Sequence, residues 1–322
     1  MNTVSVVCVL IIILIILIAR VIHKSSEPNK NLSENIVTEL PNIKKYQKRI
    51  EKYIEVDLSK ATQGRPGLNL MCSYAVSGGK KIRSIILLSI LEKNAISQKS
   101  HSDPAIAVEY LHAASLILDD IADKDDYRRG RKSMHKLFGV GKAQMCALYL
   151  IGHAGKLLQK SAKSLNNNEL VIFIYDNLFA NLRKLIEGQY VDISNEGGAE
   201  NTDSDIIHKK TGTMFEIPFV LGWTFSKLQV PSQSELFDLK TTAHMFGQIF
   251  QIADDFDDME KDAKSHAKFN YVLNHGIKEA STYFVECITK FNTFSSKMNI
   301  CTDEIKEVVT YLYKKVESFT VT

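Results

Sequence analysis

The sequence has few of the residues that interrupt helices. Its 322 residues include only 16 glycines and 6 prolines. These counts are about 5% and 2% of the chain, against roughly 7% and 5% in an average protein. With a hydrophobic content of 45%, the composition excludes a fibrous or disordered chain. It favours long helices around one large core or two small ones.

Cysteine is also scarce and shows no pairing pattern. The five cysteines are odd in number and contain no CxxC pair, which argues against a disulfide framework or a zinc site. We therefore expect reduced thiols and a globular part that resides in a reducing compartment. The cysteines are Cys8, Cys72, Cys146, Cys287 and Cys301.

The chain has no large excess of charge of either sign. Its formal net charge is +3, and the basic residues are interleaved with acidic ones. A nucleic-acid-binding surface normally requires a strongly basic patch or stripe. We therefore expect no nucleic-acid partner.

One long apolar run stands apart at the amino terminus. Residues 4–19 contain no charge, and with residues 21–22 the run is long enough to cross a bilayer core of about 30 Å. A secretory signal peptide would need positive charge before the run and a cleavage site after it. Positive charge instead follows, at Arg20, Lys24 and Lys30. We expect residues 1–24 to be an uncleaved single-pass transmembrane anchor, with the following domain facing the cytosol.

Helical periodicity dominates the rest of the chain. Residues 25–40 are polar and are predicted to be a linker, and residues 41–322 the folded domain. Apolar residues recur at three-to-four spacing, and no convincing alternating strand is present. Ser232 and Glu235 suit a capping box at a helix start. The predicted fold class is all-α.

Two aspartate motifs of the form DDxxD carry the chemistry. The first is formed by Asp119, Asp120 and Asp123, and the second by Asp254, Asp255 and Asp258. On a helix, the first and last aspartates of each motif share a face. Carboxylates held so close need a counter-charge, and a hard divalent cation such as Mg²⁺ provides one. A solvated acidic face is the alternative for one motif alone, but the repeat favours a metal site.

Basic residues accompany the motifs in several places. Lys80 and Arg83 follow a Gly-Gly pair, Lys210 and Thr211 precede a glycine, and Arg128 and Arg129 follow the first motif. Such cations can bind diphosphates. Each segment alone is more often a solvated surface, just as His112 alone is more often a core histidine.

Taken in order, the motifs resemble those of the trans-isoprenyl diphosphate synthases, also called polyprenyl or geranylgeranyl diphosphate synthases. The resemblance covers roughly residues 46–280. The matching segments are GGKxxR from Gly78, HxxSLxxDDxxD from His112 followed by RRG, GQxxD from Gly188, KTG from Lys210, GxxFQxxDDxxD from Gly247, and a lysine segment at Lys268.

The resemblance implies an isoprenoid synthase fold, a helical bundle around a central cavity. It implies that the six aspartates hold about two or three Mg²⁺ ions per active site, which bridge the diphosphate of an allylic substrate such as dimethylallyl, geranyl or farnesyl diphosphate. Arg128, Lys210 and Lys268 would bind the same diphosphate. A homodimer is the family's habit.

The second substrate implied by the resemblance is isopentenyl diphosphate. Lys80, Arg83, His112 and Arg129 would bind it, and Thr211 and Gln251 would line the reacting end. Small residues at Ala114 and Ser115 imply a permissive tail cavity and a product of C20, geranylgeranyl diphosphate, or longer. Helix packing is the alternative reason for those small residues.

The chain departs from the family in a short segment between Asp258 and Lys268, where Lys261 and Lys264 are candidates for a second lysine. The short segment and the apolar run resemble the membrane-anchored trans-prenyltransferases of large DNA viruses.

Two other functions are alternatives at this point. A class I terpene synthase would carry Ser or Thr where Asp258 stands, and a non-catalytic regulatory subunit would be expected to lose aspartates.

Overall fold

The computed structural model describes residues 40–94, 102–194, 212–265 and 270–320, and this part of the chain is almost entirely helical. A single two-stranded hairpin interrupts the helices. The elements are α1 (Pro41–Ala61), α2 (Pro66–Val76), α3 (Ile82–Asn94), α4 (Ser102–Asp123), β1 (Tyr127–Arg128), β2 (Arg131–Lys132), α5 (Met134–Phe138), α6 (Val140–Lys163), α7 (Asn168–Ser194), α8 (Thr213–Lys227), α9 (Gln233–Ser265), α10 (Tyr271–His275), α11 (Ile277–Lys297) and α12 (Asp303–Thr320).

The chain divides into two compact units. The first contains Gln47–Lys81 and Ser102–Ser161. The second contains Leu40–Tyr46 and the described residues of 82–94 and 162–320. Each aspartate motif lies in a different unit, so the two halves of the predicted site are described separately.

In the first unit, α4 is the central helix. Residues from Pro104 to Leu111 are buried on every side of it, as expected for a helix surrounded by others. Helices α2 and α5 pack against α4. The thiols of Cys72 on α2 and Cys146 on α6 are both buried, with their Sγ atoms 3.8 Å apart. All four cysteines in the described ranges are free.

In the second unit, α8 and α9 form the core. Helix α8 packs on α3, α7 and α9, and α9 packs on α11 and α12. Phe215, Phe219, Phe246 and Phe291 form a fully buried aromatic cluster. Such rings bury large apolar areas, which makes this cluster the main apolar core behind the second aspartate motif.

Local signals placed one helix start correctly. Ser232 and Glu235 form the predicted capping box, because the Ser232 amide donates to Glu235 Oε2 at 2.8 Å and the Glu235 amide donates to Ser232 Oγ at 3.3 Å. Helix α9 begins at the next residue, Gln233. The hairpin was not predicted, since strands of two residues are too short to show alternation.

The prediction of a membrane-anchored protein needs correction. Among the residues that the structure describes, none of the helices has the length and apolar character required to cross a bilayer. Residues 1–24, on which the prediction rested, lie outside the described residues. The structure therefore gives no support for a single-pass anchor.

Candidate active site

The first aspartate motif ends helix α4. Asp123 is the last helical residue, and Lys124 takes a left-handed backbone conformation with φ of 60°. Such a residue commonly terminates a helix. Asp120 points into the unit and is 3% exposed, whereas Asp119 is partly exposed. One carboxylate of the motif is therefore buried, and its neighbour is accessible.

The hairpin returns a cation to this helix end. Arg129 and Gly130 form its two-residue turn with φ of 53° and 72°, the pattern of a type I′ turn. Arg128, next to the turn, donates from Nε to Asp120 Oδ1 at 2.6 Å. Its guanidinium also lies 3.5 Å from carboxylate oxygens of Asp119 and Asp125. Arg128 is thus the counter-charge of the first motif.

Burial dominates the titration of the buried carboxylate. Loss of solvent raises the pKa of Asp120 to about 6, although the Arg128 guanidinium opposes the rise. The ionised form of such a carboxyl group is stabilised by any further positive charge. The arrangement therefore favours a bound cation in addition to Arg128.

The second aspartate motif lies within α9. Asp255 is 4% exposed and accepts hydrogen bonds from Gln251 Nε2 at 2.8 Å and from the Tyr271 amide at 2.9 Å. Burial raises the pKa of Asp255 to about 6 despite these bonds. Burial also raises the pKa of Asp258, whose carboxylate lies 4.0 Å from Lys261 Nζ. Both motifs therefore bury their second aspartate.

A lysine that was not predicted from the sequence lies close to carboxylates of the second motif. Lys315 on α12 contacts Asp257 and lies 3.6 Å from Asp254 Oδ1. Its side chain is 10% exposed. A signal was present, because Lys315 follows the buried Leu312 by three residues and so shares the apolar face of an amphipathic helix.

The Gly-Gly segment holds Arg129 closely. A Cβ on Gly79 would lie 2.4 Å from the Arg129 guanidinium carbon, and Gly79 has φ of 71°. Arg129 Nη1 donates to the Ser77 carbonyl at 3.4 Å. The structure therefore brings together two segments predicted to share a substrate. Lys80 ends the same loop, and His112 lies on α4 of the same unit.

The remaining predicted residues fall into two groups. In the second unit, Arg83 stacks on Phe215 with its guanidinium carbon 4.3 Å from the ring centre. Gln251 contacts Asp255, as described above. Lys210, Thr211 and Lys268 lie outside the described residues.

The carboxylates of the two motifs are oxygen donors of the kind that Mg²⁺ prefers. Within residues 40–94, 102–194, 212–265 and 270–320, no three His, Cys, Asp or Glu side chains converge as a ready-made metal site. Mg²⁺ is usually bound by one or two carboxylates, waters and substrate phosphates. In each motif, carboxylate oxygens lie beside a buried aspartate of raised pKa, Asp120 or Asp255. These oxygen ligands fit that mode of binding.

Comparison with known proteins agrees with this chemistry. The polyprenyl synthetase family model matches residues 65–277. A trans-prenyltransferase of African swine fever virus is 32% identical over 238 residues, which cover 67% of each chain. A second isolate matches over 63% of its length, so the chain spans about two thirds of these viral relatives. Geranylgeranyl pyrophosphate synthase 10 of Arabidopsis thaliana is 28% identical over 60% of this chain and 58% of its own.

Solved structures show the fold. An FPP/GFPP synthase from Zymomonas mobilis superposes with a TM-score of 0.71 at 22% identity, covering 85% of this chain and 99% of that one. A geranyltranstransferase from Thermotoga maritima gives 0.70 at 22% identity, covering 86% and 99%. The fold is therefore the all-α isoprenoid synthase fold. By the family model and the viral relative, this chain belongs to the polyprenyl synthetase family, the trans-isoprenyl diphosphate synthases.

Proposed function

We propose that this protein condenses isopentenyl diphosphate with an allylic diphosphate to make an all-trans prenyl diphosphate of C20 or longer. The main support is the matched pair of aspartate motifs, each with a buried second carboxylate and a cation from another element. The cations are Arg128 and Lys315. The names of the relatives, trans-prenyltransferase and geranylgeranyl pyrophosphate synthase, support this reaction class.

The metal of this proposal is Mg²⁺, and each motif supplies candidate ligands. Asp119, Asp120 and Asp123 are the candidates in the first motif, and Asp254, Asp255 and Asp258 in the second. When bound, Mg²⁺ supplies positive charge that stabilises the departing diphosphate. The protein's own cations add to that charge, and Arg128 already lies on the carboxylates of the first motif.

The chemistry needs no protein nucleophile. The allylic C–O bond breaks, and its electron pair leaves with the diphosphate. The double bond of isopentenyl diphosphate then attacks the allylic cation, and a proton passes to the released diphosphate. Arg128, Lys210 and Lys268 bind the leaving group, and Lys80, Arg83, His112 and Arg129 hold the second diphosphate. Positioning and electrostatic stabilisation account for the acceleration.

Product length is assigned to the residues just before the first motif. Ala114 is buried and small, and Ser115 is partly buried. We assign the growing tail to this face of α4 because the side chains there are small. Ala114→Phe would place a bulky ring at this face and shorten the product.

A homodimer is part of the proposal, and light scattering after size-exclusion chromatography tests it.

The testing experiment is an incubation with isopentenyl diphosphate, Mg²⁺ and primers of C5, C10 or C15, with products resolved by length. The expected result is elongation to C20 or beyond, which is lost with EDTA and reduced at least a hundredfold, as an order of magnitude, in Asp119→Asn. Asp303→Asn, an exposed aspartate at the start of α12, is the matched control. A folded wild-type protein without elongation from any primer would refute the proposal.

A further inference from the structure

The loop that connects α2 to α3 is tied down by a buried lysine. Lys81 is 3% exposed, although it follows Lys80 at the end of a glycine-rich loop. Its backbone has φ of 56°, a left-handed conformation that is costly for a side chain with a Cβ. A strained backbone and a buried ammonium group persist only where surrounding contacts hold them.

Those contacts join the loop to α4. Lys81 Nζ donates to the Val76 carbonyl at the end of α2 and to Glu109 Oε1 on α4 at 3.0 Å. Glu109 is 2% exposed. Helix α4 also carries His112 one turn later and the first aspartate motif at its end. The ion pair therefore fixes the loop against the helix that bears several proposed substrate-binding groups.

Arg129 depends on the same carboxylate. The negative charge of Glu109 favours the charged guanidinium of Arg129, against burial, which lowers the pKa of that group. Arg129 in turn rests on Gly79 and on the Ser77 carbonyl. Arg131 strengthens the assembly, because it donates to Ser77 Oγ at 2.8 Å. Loop, helix and hairpin thus meet around one buried acidic group.

We propose that Lys81 and Glu109 are positioning residues for the isopentenyl diphosphate site, acting through Lys80 and Arg129 without touching the substrate. The pair sets the distance between the loop that carries Lys80 and the hairpin turn that carries Arg129. This inference rests on the proposed function, and it concerns residues that the motif comparison did not assign to any role.

Removing the pair should therefore affect one substrate selectively. We expect each single variant, Lys81→Met or Glu109→Gln, to misplace Lys80 and Arg129. The affinity for isopentenyl diphosphate should then fall by on the order of tenfold to a hundredfold. The KM for the allylic primer should stay within about twofold, because Arg128 and the aspartates hold that diphosphate through separate contacts. Lys81→Arg keeps the positive charge. Its affinity for isopentenyl diphosphate should stay within about threefold of the wild-type value.

Stability and positioning can be separated. A single substitution leaves one buried charge without its partner, which destabilises the fold, whereas the double variant Lys81→Met with Glu109→Gln leaves neither charge. We expect the double variant to regain most of the lost melting temperature but not the lost affinity. Lys160→Met is the matched control. It removes the 2.7 Å ion pair between Lys160 and Asp103, which lies on α4, as Glu109 does, but away from the loop.

The measurement is isothermal titration of full-length protein with isopentenyl diphosphate in EDTA, followed by steady-state kinetics with each substrate varied. Selective loss of isopentenyl diphosphate affinity in the single and double variants, with a normal Lys160→Met, supports the proposal. Equal losses for both substrates, or recovery of affinity together with stability in the double variant, would overturn it. If wild-type protein binds isopentenyl diphosphate but forms no product, the proposed function fails while the positioning role is still tested by titration.

Discussion

Gly79 is the residue whose replacement has the most direct steric consequence. A methyl group there would collide with the Arg129 guanidinium, and φ of 71° adds strain. We expect Gly79→Ala to raise the KM for isopentenyl diphosphate by about tenfold or more, because Arg129 must move from its place beside the loop. Steady-state kinetics with isopentenyl diphosphate as the varied substrate measure the change.

Gly78→Ala is the matched control for this substitution. Gly78 has nearly the same φ, 72°, but its added Cβ would meet side-chain atoms of Arg129 and Arg131 only at 3.9 Å. Both variants carry the backbone strain, and only one carries the collision. Equal KM values in the two variants would mean that strain alone, and not the contact with Arg129, determines the effect.

Lys315 is the second residue whose role can be isolated. Lys315→Met removes the ammonium group that contacts Asp257 and lies 3.6 Å from Asp254 Oδ1. We expect the free energy of unfolding to fall by about 1–2 kcal/mol in metal-free buffer, and millimolar Mg²⁺ to recover part of the loss. Urea unfolding with and without Mg²⁺ measures both effects. Lys314→Met, an exposed neighbour, should change neither, and an equal loss in the two variants would contradict the assignment.

These residues also show what sequence reasoning can and cannot reach. Asp120 and Asp255 were predicted as metal ligands because a repeated short motif is recognisable within a few positions, and that role stays a prediction. Lys315 was missed because its partners are distant in sequence and only packing brings α12 to α9. The burial of Lys81 could not be predicted, since burial of a lysine depends on a partner that no local pattern reveals.

At the scale of elements, a buried polar cluster joins three helices of the first unit. Asp57 on α1 accepts a hydrogen bond from the Tyr110 hydroxyl on α4 at 2.7 Å, and His153 Nε2 on α6 lies 2.7 Å from the same oxygen. Burial alone would raise the pKa of Asp57, but the contacts with His153 and Tyr110 hold it below its usual value. The cluster therefore stabilises the packing of these helices when Asp57 is charged.

Asp57→Asn should lower the free energy of unfolding by about 1–2 kcal/mol at pH 7, a value reduced for partial exposure. A carboxyl with a lowered pKa contributes its stability above its unfolded pKa of about 3.9 and loses it as pH falls through the folded value. The difference between wild type and variant should therefore shrink below about pH 4. Denaturant unfolding at several pH values measures it, with the exposed Glu55→Gln of the same helix as control. A difference that grows as the pH falls below about 4 would contradict the sign.

The elements themselves were largely predictable. Few glycines and prolines and a three-to-four periodicity indicate helices, and the capping box placed the start of α9. The hairpin was not predictable in this way, because its function depends on a two-residue turn, Arg129 and Gly130, and not on strand alternation. The structure adds the position of the first motif, because α4 ends at Asp123.

At the scale of the whole molecule, metal binding and folding should be separable. Each unit has its own apolar core, built from residues such as Ile85, Ile106 and Phe246, and the carboxylates of both motifs have protein cations as partners. We expect EDTA to abolish product formation while shifting the melting temperature by less than about 2 °C. Calorimetry and product analysis on the same sample test this. Unfolding on chelation would instead indicate a structural metal.

The fold class could be predicted from the whole sequence, but the division into two units could not. Helical periodicity identifies each element and says little about which helices pack together. The same limit applies to Lys210, Thr211 and Lys268. Their proposed contacts with substrate stay predictions.

Lys315 has one further consequence, which concerns competition. A metal bound at Asp254, as we propose, would share that carboxylate with Lys315 of α12, whose Phe319 also packs on Phe256. Linked equilibria are reciprocal. If the metal displaced Lys315, docking of α12 would lower the affinity of Asp254 for metal by the same factor by which metal would loosen α12. Under the proposed function, α12 would then be an internal competitor of the metal.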